Sequence, residues 1–191
     1  MPAEPLYVPK MTPSALLSAD ELLHLHLPHK RTELVRGVLV VREPPGGRHG
    51  RLTAELARVI ANHAVEQGLG TVYAGDTGFT LARHPDTVRG PDLAFVSKVR
   101  VPDADPTGYL ELGPDLVVEI LSPGNRPGDV LAKVADWLNA GTRLVWVIDP
   151  QRRQARVYRQ DGSGASVNEE EKLEGEDVLP GLSISLSQLF S

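Results

Sequence analysis

Apolar residues recur at Leu52, Leu56, Val59 and Ile60, with His63 on the same stripe. This spacing predicts an amphipathic helix from about 49 to 67, ended by Gly68 and Gly70. Upstream, Ser18 and Glu21 form an S-x-x-E capping box, which opens a short helix that stops before Pro28. Between these helices TELVRGVLVVRE reads as two strands about an Arg36-Gly37 turn, and PPGG at 44–47 reads as a loop.

Downstream, TVYAGDTGFTL and PDLAFVS (91–97) carry strand patterns, with RHPDTVRG between them as a loop. VPDADPTGYLELG is a further loop leading into a strand at 115–121. After SPGNRPG a helix spans roughly 129–140 and closes at Gly141, followed by a buried strand in TRLVWVIDP. QARVYRQDG ends in an Asp-Gly turn and so reads as a hairpin arm. NEEEKLEGED reads as a solvated acidic loop, and LPGLSISLSQLF as a strand with a short helix. The order predicts an α+β fold of α/β/α type, a mixed sheet flanked by helices, with an N-terminal hairpin and a C-terminal β arm. Residues 1–14 are expected to form a flexible segment and 15–191 a single domain, since no internal repeat or long linker divides the chain.

One strand breaks its own pattern. In PDLVVEILSPGN, alternation sets Leu116, Val118 and Ile120 on one face and Val117, Glu119 and Leu121 on the other, so neither face suits water. An ionised carboxylate inside a low-dielectric core costs several kcal/mol without a cation, a metal or good donors. Glu119 therefore has a partner, or sits in a cleft, or belongs to a half-exposed strand and faces solvent. Asp92, heading the apolar run Leu93–Val96, repeats the oddity. Paired strands lie about 5 Å apart, so two such acids at one sheet end could share a divalent ion, and without a cation they would repel.

On the following helix, Leu131, Val134 and Leu138 form the centre of the apolar stripe, with Val130 and Trp137 beside it and Lys133 at its edge. The long stem of Lys133 could bring its ammonium to the acids, or the side chain could pair on the surface with Asp129.

Composition narrows the chemistry. The 191 residues carry a formal net charge of −5 with a pI near 5.7, which argues against a broad basic surface for nucleic acid; a polyanion would have to be met in a local cleft. With no cysteine there is no disulfide, thiolate zinc site or cysteine nucleophile, as fits a cytosolic protein. The opening segment has two prolines before any apolar run, and no stretch reaches the roughly eighteen apolar residues of a membrane span, so a soluble chain without a signal peptide is expected. P-loop, dinucleotide-binding and serine-hydrolase motifs do not occur, and neither a helix-turn-helix nor a zinc module can be picked out.

The block PDLAFVS, then PDLVVEILSPGNRPGDVLAKVADWLNAGTRLVWVIDP, a hairpin with VYR and finally LPGL resembles the Uma-type family of restriction endonucleases in the PD-(D/E)XK superfamily. TELVRG and His49 also fit that family, and the resemblance covers about residues 15 to 190. It implies a restriction-endonuclease-like core with a metal site at the sheet edge. By position, Asp92 and Glu119 would ligate Mg²⁺ (or Mn²⁺) with the backbone carbonyl of Ile120, and Lys133 would be the catalytic lysine. The motif's lysine belongs two residues after the glutamate, where this chain has Leu121; the function would have moved to Lys133, with Lys98 a weaker substitute. Glu33 is an accessory candidate as an outer metal ligand or water-orienting group, against an exposed strand residue. His49 could touch a phosphate, or simply belong to a helix cap.

The resemblance implies a nuclease acting on DNA and a homodimer, with the VYRQDG arm or LSISLSQLF as interface, and the lack of cysteine fits a cytoplasmic location. A non-catalytic nucleic-acid-binding or regulatory module that keeps the fold is the rival, and another phosphodiester substrate such as RNA is a further option. HLHLPH (24–29) reads as a solvated helix end, because Pro28 breaks any metal-binding frame; His63 reads as a packed core residue. Asp76, Asp103, Asp105 and the NEEE run read as loop acids.

Overall fold

A computed structural model describes residues 16–103 and 107–191. The expected segment 1–14 and the loop acid Asp105 lie outside the described residues. Helix α1 (Ala19–His24) starts at Ser18, whose side chain accepts from the Glu21 N–H while Glu21 accepts from the Ser18 N–H, the reciprocal capping box expected. Strands β1 (Arg31–Val35) and β2 (Val38–Arg42) form the hairpin about Arg36-Gly37. Both turn residues have positive φ, 50° and 78°, as this hairpin geometry requires.

Helix α2 (Gly47–Glu66) begins earlier than its apolar pattern, taking Gly47 from the expected loop. Next come β3 (Gly70–Ala74), β4 (Phe79–Ala82), β5 (Thr87–Arg89), β6 (Leu93–Ser97), β7 (Leu116–Ile120), α3 (Pro127–Asn139) and β8 (Leu144–Asp149). The arm β9 (Gln154–Arg159) and β10 (Gly164–Val167) follows, then β11 (Lys172–Glu174), β12 (Ser183–Ser185) and α4 (Leu186–Leu189).

The central sheet has six strands in the order β10-β9-β8-β7-β6-β3. Only β7 and β8 run parallel, joined by the α3 crossover that a parallel pair demands, so the sheet is mixed. Alternation along β7 divides the core as expected. Leu116, Val118 and Ile120 pack with Leu52, Leu56 and Ile60 of α2, whereas Val117 packs with Val134 and Trp137 of α3. Leu52 and Leu56 are fully buried, each contributing about 1.5–3 kcal/mol of transfer free energy. Helices thus cover both faces, giving the α+β, α/β/α-like arrangement.

Several local expectations are corrected. GDTG splits TVYAGDTGFTL into β3 and β4, which join different sheets. RHPDTVRG contains β5, a three-residue strand that pairs with β1 and β4 in a second sheet, order β2-β1-β5-β4. Residues this few carry no readable alternation, and their strand state comes from pairing with the neighbouring β4 and the distant β1. The acidic run at 168–177 likewise holds β11, which pairs with β12 and buries Leu173. His63 is only partly buried and bonds the Pro180 carbonyl at 3.0 Å through Nε2. On α3, Leu131 is 51% exposed while Val134 and Trp137 are buried, so the helix is rotated from its expected stripe and turns Lys133 inward. Among the described residues no helix is long and apolar enough to cross a membrane.

Candidate metal centre

The site forms where β6 and β7 meet. Their antiparallel register sets Leu93 opposite Val118, which brings Asp92, the residue before β6, to the end of β7 that carries Glu119. Both acids are buried, at 6% and 9% exposure, so the solvent-facing alternative for Glu119 is not what the fold adopts. They line a cleft of about 540 Å³ together with Glu33, His49, Gly90, Ile120 and Lys133.

Glu119 is met by donors from α3. Lys133 Nζ lies 2.9 Å from each carboxylate oxygen, and Trp137 Nε1 donates to Oε1 at 2.9 Å. One helical turn separates Lys133 from Trp137, so both project from the face turned to the sheet. Lys133 also donates to the Gly90 carbonyl at 2.8 Å and pairs with Glu33 at 3.0 Å. The surface pairing with Asp129 is thereby excluded as its main contact. Burial opposes the ammonium most strongly, but Glu119 and Glu33 more than compensate and raise its pKa above the ordinary value.

Asp92 is held through both oxygens. Oδ2 accepts the Ile120 N–H at 2.7 Å and faces His49 Nε2 at 3.0 Å, while Oδ1 accepts from Arg31 Nη2 at 3.2 Å. A carboxylate can only accept, so the ring proton of His49 belongs on Nε2. His49 therefore fixes Asp92 in orientation rather than capping the helix. Burial is the strongest influence on Asp92 and acts upward; the His49 and Ile120 bonds outweigh it and hold the carboxyl below its usual range.

Glu33 is buried, contrary to the exposed-strand alternative. Arg89 Nη1 donates to it at 2.9 Å, the Gly90 N–H at 3.1 Å, and Lys133 closes the other side. Burial would raise its pKa, but Lys133 and then Arg89 dominate together and bring it to about 2. Glu119 goes the other way. Its desolvation is the largest influence, and Asp92 and Glu33 add to it, so despite Lys133 its carboxyl is pushed up to about 7.

Four contributors escaped the sequence pattern. Arg89, the last residue of β5, bridges Glu33 to Asp136 on α3, with Nε and Nη2 donating to Asp136 at 2.9 and 2.6 Å. Trp137 stands on the flank of the apolar stripe, and nothing in the sequence pattern marks Arg31. The one local signal was Arg89 standing just before Gly90-Pro91-Asp92. Lys98 is exposed past the end of β6, and Leu121 packs against the α3 side of the core, so neither takes the lysine's place beside Glu119. Asp76 is more than a loop acid, since it forms an ion pair with Arg31 at the cleft rim. Asp115, the other Pro-Asp acid, serves the fold: it accepts from the Ser97 N–H and from Arg100, each at 2.8 Å.

The donor set suits a hard cation. Glu33, Asp92 and Glu119 meet at the cleft, and the raised pKa of Glu119 comes first from its burial, with Asp92 and Glu33 adding to it. No group of three or more His, Asp or Glu side chains among the described residues forms a cage that could hold a metal. Two carboxylates with a neighbouring carbonyl and waters is the pattern Mg²⁺ favours.

A family model described as Uma2, putative restriction endonuclease, matches residues 19–187. A crystal structure described as a putative nuclease belonging to DUF820, from Anabaena variabilis, shares the fold with a TM-score of 0.79 at 23% identity, over 91% of this chain and 97% of that one. No match was found among curated proteins. With the matched segment spanning most of the sequence, the chain belongs to the Uma2 family of putative restriction endonucleases.

Proposed function

We propose that the protein is a divalent-metal-dependent endonuclease that hydrolyses DNA phosphodiester bonds. The observation that carries this reading is the contact of Lys133 Nζ with both oxygens of Glu119 at 2.9 Å, beside Asp92 and at the wall of an open cleft. Asp92, Glu119 and the Ile120 carbonyl would hold Mg²⁺ or Mn²⁺. Such an ion polarises a phosphate and lowers the pKa of a water.

The chain's own groups do the rest. His49 and the Ile120 N–H keep Asp92 aimed. Glu33 and the Gly90 carbonyl hold the Lys133 ammonium at the cleft wall, where it orients the attacking water and offsets charge that develops on the phosphate. Arg89 fastens Glu33 to Asp136, tying β1 to α3 so that this lysine keeps its position. Preorganised charge of this kind needs no rearrangement at the moment of reaction. In this reading a homodimer brings two sites to the two strands of a duplex, in the cytoplasm.

The second reading is a DNA-binding module without chemistry. It draws on Leu121, which stands where the motif carries lysine. Titration calorimetry with Mg²⁺ and Mn²⁺, comparing wild type with Glu119→Gln, followed by plasmid nicking on the same samples, separates the two. Metal binding and nicking by wild type, both lost in the variant, support the nuclease. Absence of binding at millimolar metal rejects it in favour of the module.

A further inference from the structure

Arg31 stands at the boundary between two cavities. It lines the 540 Å³ cleft and also a smaller one of about 230 Å³, walled on the far side by Lys30, Gly78 and Tyr109. Its Nη2 is shared between two acids, Asp92 inside and Asp76 outside. Both contacts fall on that one nitrogen, so Nε and Nη1 bond no other described residue.

The two oxygens of Asp92 are unequal. Oδ2 is committed to the Ile120 N–H and His49, which are themselves buried. Among the described residues Oδ1 bonds only the Arg31 guanidinium, at the long distance of 3.2 Å, from a side chain 22% exposed. A cation ligated by Asp92 must therefore approach Oδ1, where it competes with Arg31 for the same lone pairs and repels its charge. The guanidinium then swings toward Asp76 and the cleft mouth. Its planar fork is the side chain best shaped to take two phosphate oxygens.

Resting on the nuclease reading above, we infer that Arg31 is an exchangeable phosphate clamp, bound to Asp92 Oδ1 in the metal-free protein and transferred to a DNA phosphate when the cation takes that oxygen. The exchange couples the two ligands. Metal frees the clamp that DNA needs, so by linkage DNA strengthens metal binding to the same extent. Without metal, Arg31 is withheld and DNA is held weakly.

The test measures Mn²⁺ affinity by calorimetry and duplex affinity by fluorescence anisotropy, the latter in EDTA and in Ca²⁺. Wild type is compared with Arg31→Ala and Asp76→Asn. For Arg31→Ala without DNA, Mn²⁺ binds about tenfold more tightly, because a charged hydrogen bond that competes for Oδ1 is gone. Its duplex affinity falls about tenfold in Ca²⁺ and changes little in EDTA. Asp76→Asn keeps an exposed position whose positive φ asparagine tolerates, and so guards against a folding artefact. It removes the outer anchor, leaves Arg31 on Asp92 and weakens Mn²⁺ binding. An Arg31→Ala protein that loses metal affinity, or whose duplex affinity falls equally in EDTA and Ca²⁺, overturns the exchange while wild-type nicking preserves the nuclease reading. A wild type that neither binds Mn²⁺ nor nicks DNA overturns both.

Discussion

Lys133 Nζ lies 2.9 Å from both carboxylate oxygens of Glu119 and donates to Oε2, from the helix that follows the glutamate's own strand. The pair is buried, so each charge supports the other, with Glu33 and the Gly90 carbonyl also meeting the ammonium. Lys133→Met is expected to leave Glu119 and Glu33 uncompensated and to destabilise the protein by about 3–5 kcal/mol, read by urea denaturation. Lys133→Arg retains charge and is expected to recover most of the stability but little nicking, since a guanidinium does not fit between Glu33, Glu119 and the Gly90 carbonyl.

Glu119 makes stability depend on pH in an unusual direction. Its folded carboxyl titrates near 7 against 4.5 when unfolded, so the folded state keeps a proton that the unfolded chain has released. Its contribution is complete below about 4.5 and is lost as pH rises to about 7, a loss on the order of 3 kcal/mol. Glu33, lowered from 4.5 to about 2, acts oppositely and loses its contribution as pH falls through that window. Denaturation of metal-free protein should thus find greatest stability in mild acid. Glu119→Gln should flatten the decline above pH 5; an unchanged decline would falsify the assignment to Glu119.

Metal affinity should climb between pH 6 and 8, because a cation at Glu119 must displace its proton. Calorimetry in buffers of different ionisation enthalpy should register proton release near pH 6 and much less at pH 8.

His49 bonds the inner oxygen of Asp92 from α2. His49→Ala should weaken Mn²⁺ binding by about 10- to 100-fold, the usual effect of removing a group that orients a ligand. Affinity within threefold of wild type would remove His49 from the site's working parts.

Arg89 lies buried between Glu33 and Asp136, so Arg89→Met strands one carboxylate in the core and leaves α3 without its tie to β5. The expected cost is about 3–5 kcal/mol by denaturation. The double change Arg89→Met with Glu33→Gln should be less costly than the single one, because the uncompensated charge is gone.

What the sequence determined by itself was everything that local chemistry encodes. Ser18 and Glu21 announced a capping box, Leu52, Leu56 and Ile60 a helix face, and the Arg36-Gly37 and Asp161-Gly162 turns their hairpins. The misplaced acids Asp92 and Glu119 were legible too, because a charge in an apolar strand contradicts its own surroundings. The tertiary structure alone decided which partners answer those charges. Arg89 belongs to a strand of three residues, too short to show alternation, and its bridge spans 56 residues to Glu33 and 47 to Asp136. The rotation of α3, which exposes Leu131 and turns Lys133 inward, was likewise hidden. Periodicity finds a helix's apolar stripe, but the buried ion pair and the Trp137 bond to Glu119 fix where that stripe points. Periodicity is a property of neighbours in the chain, whereas compensation of buried charge is a property of neighbours in space.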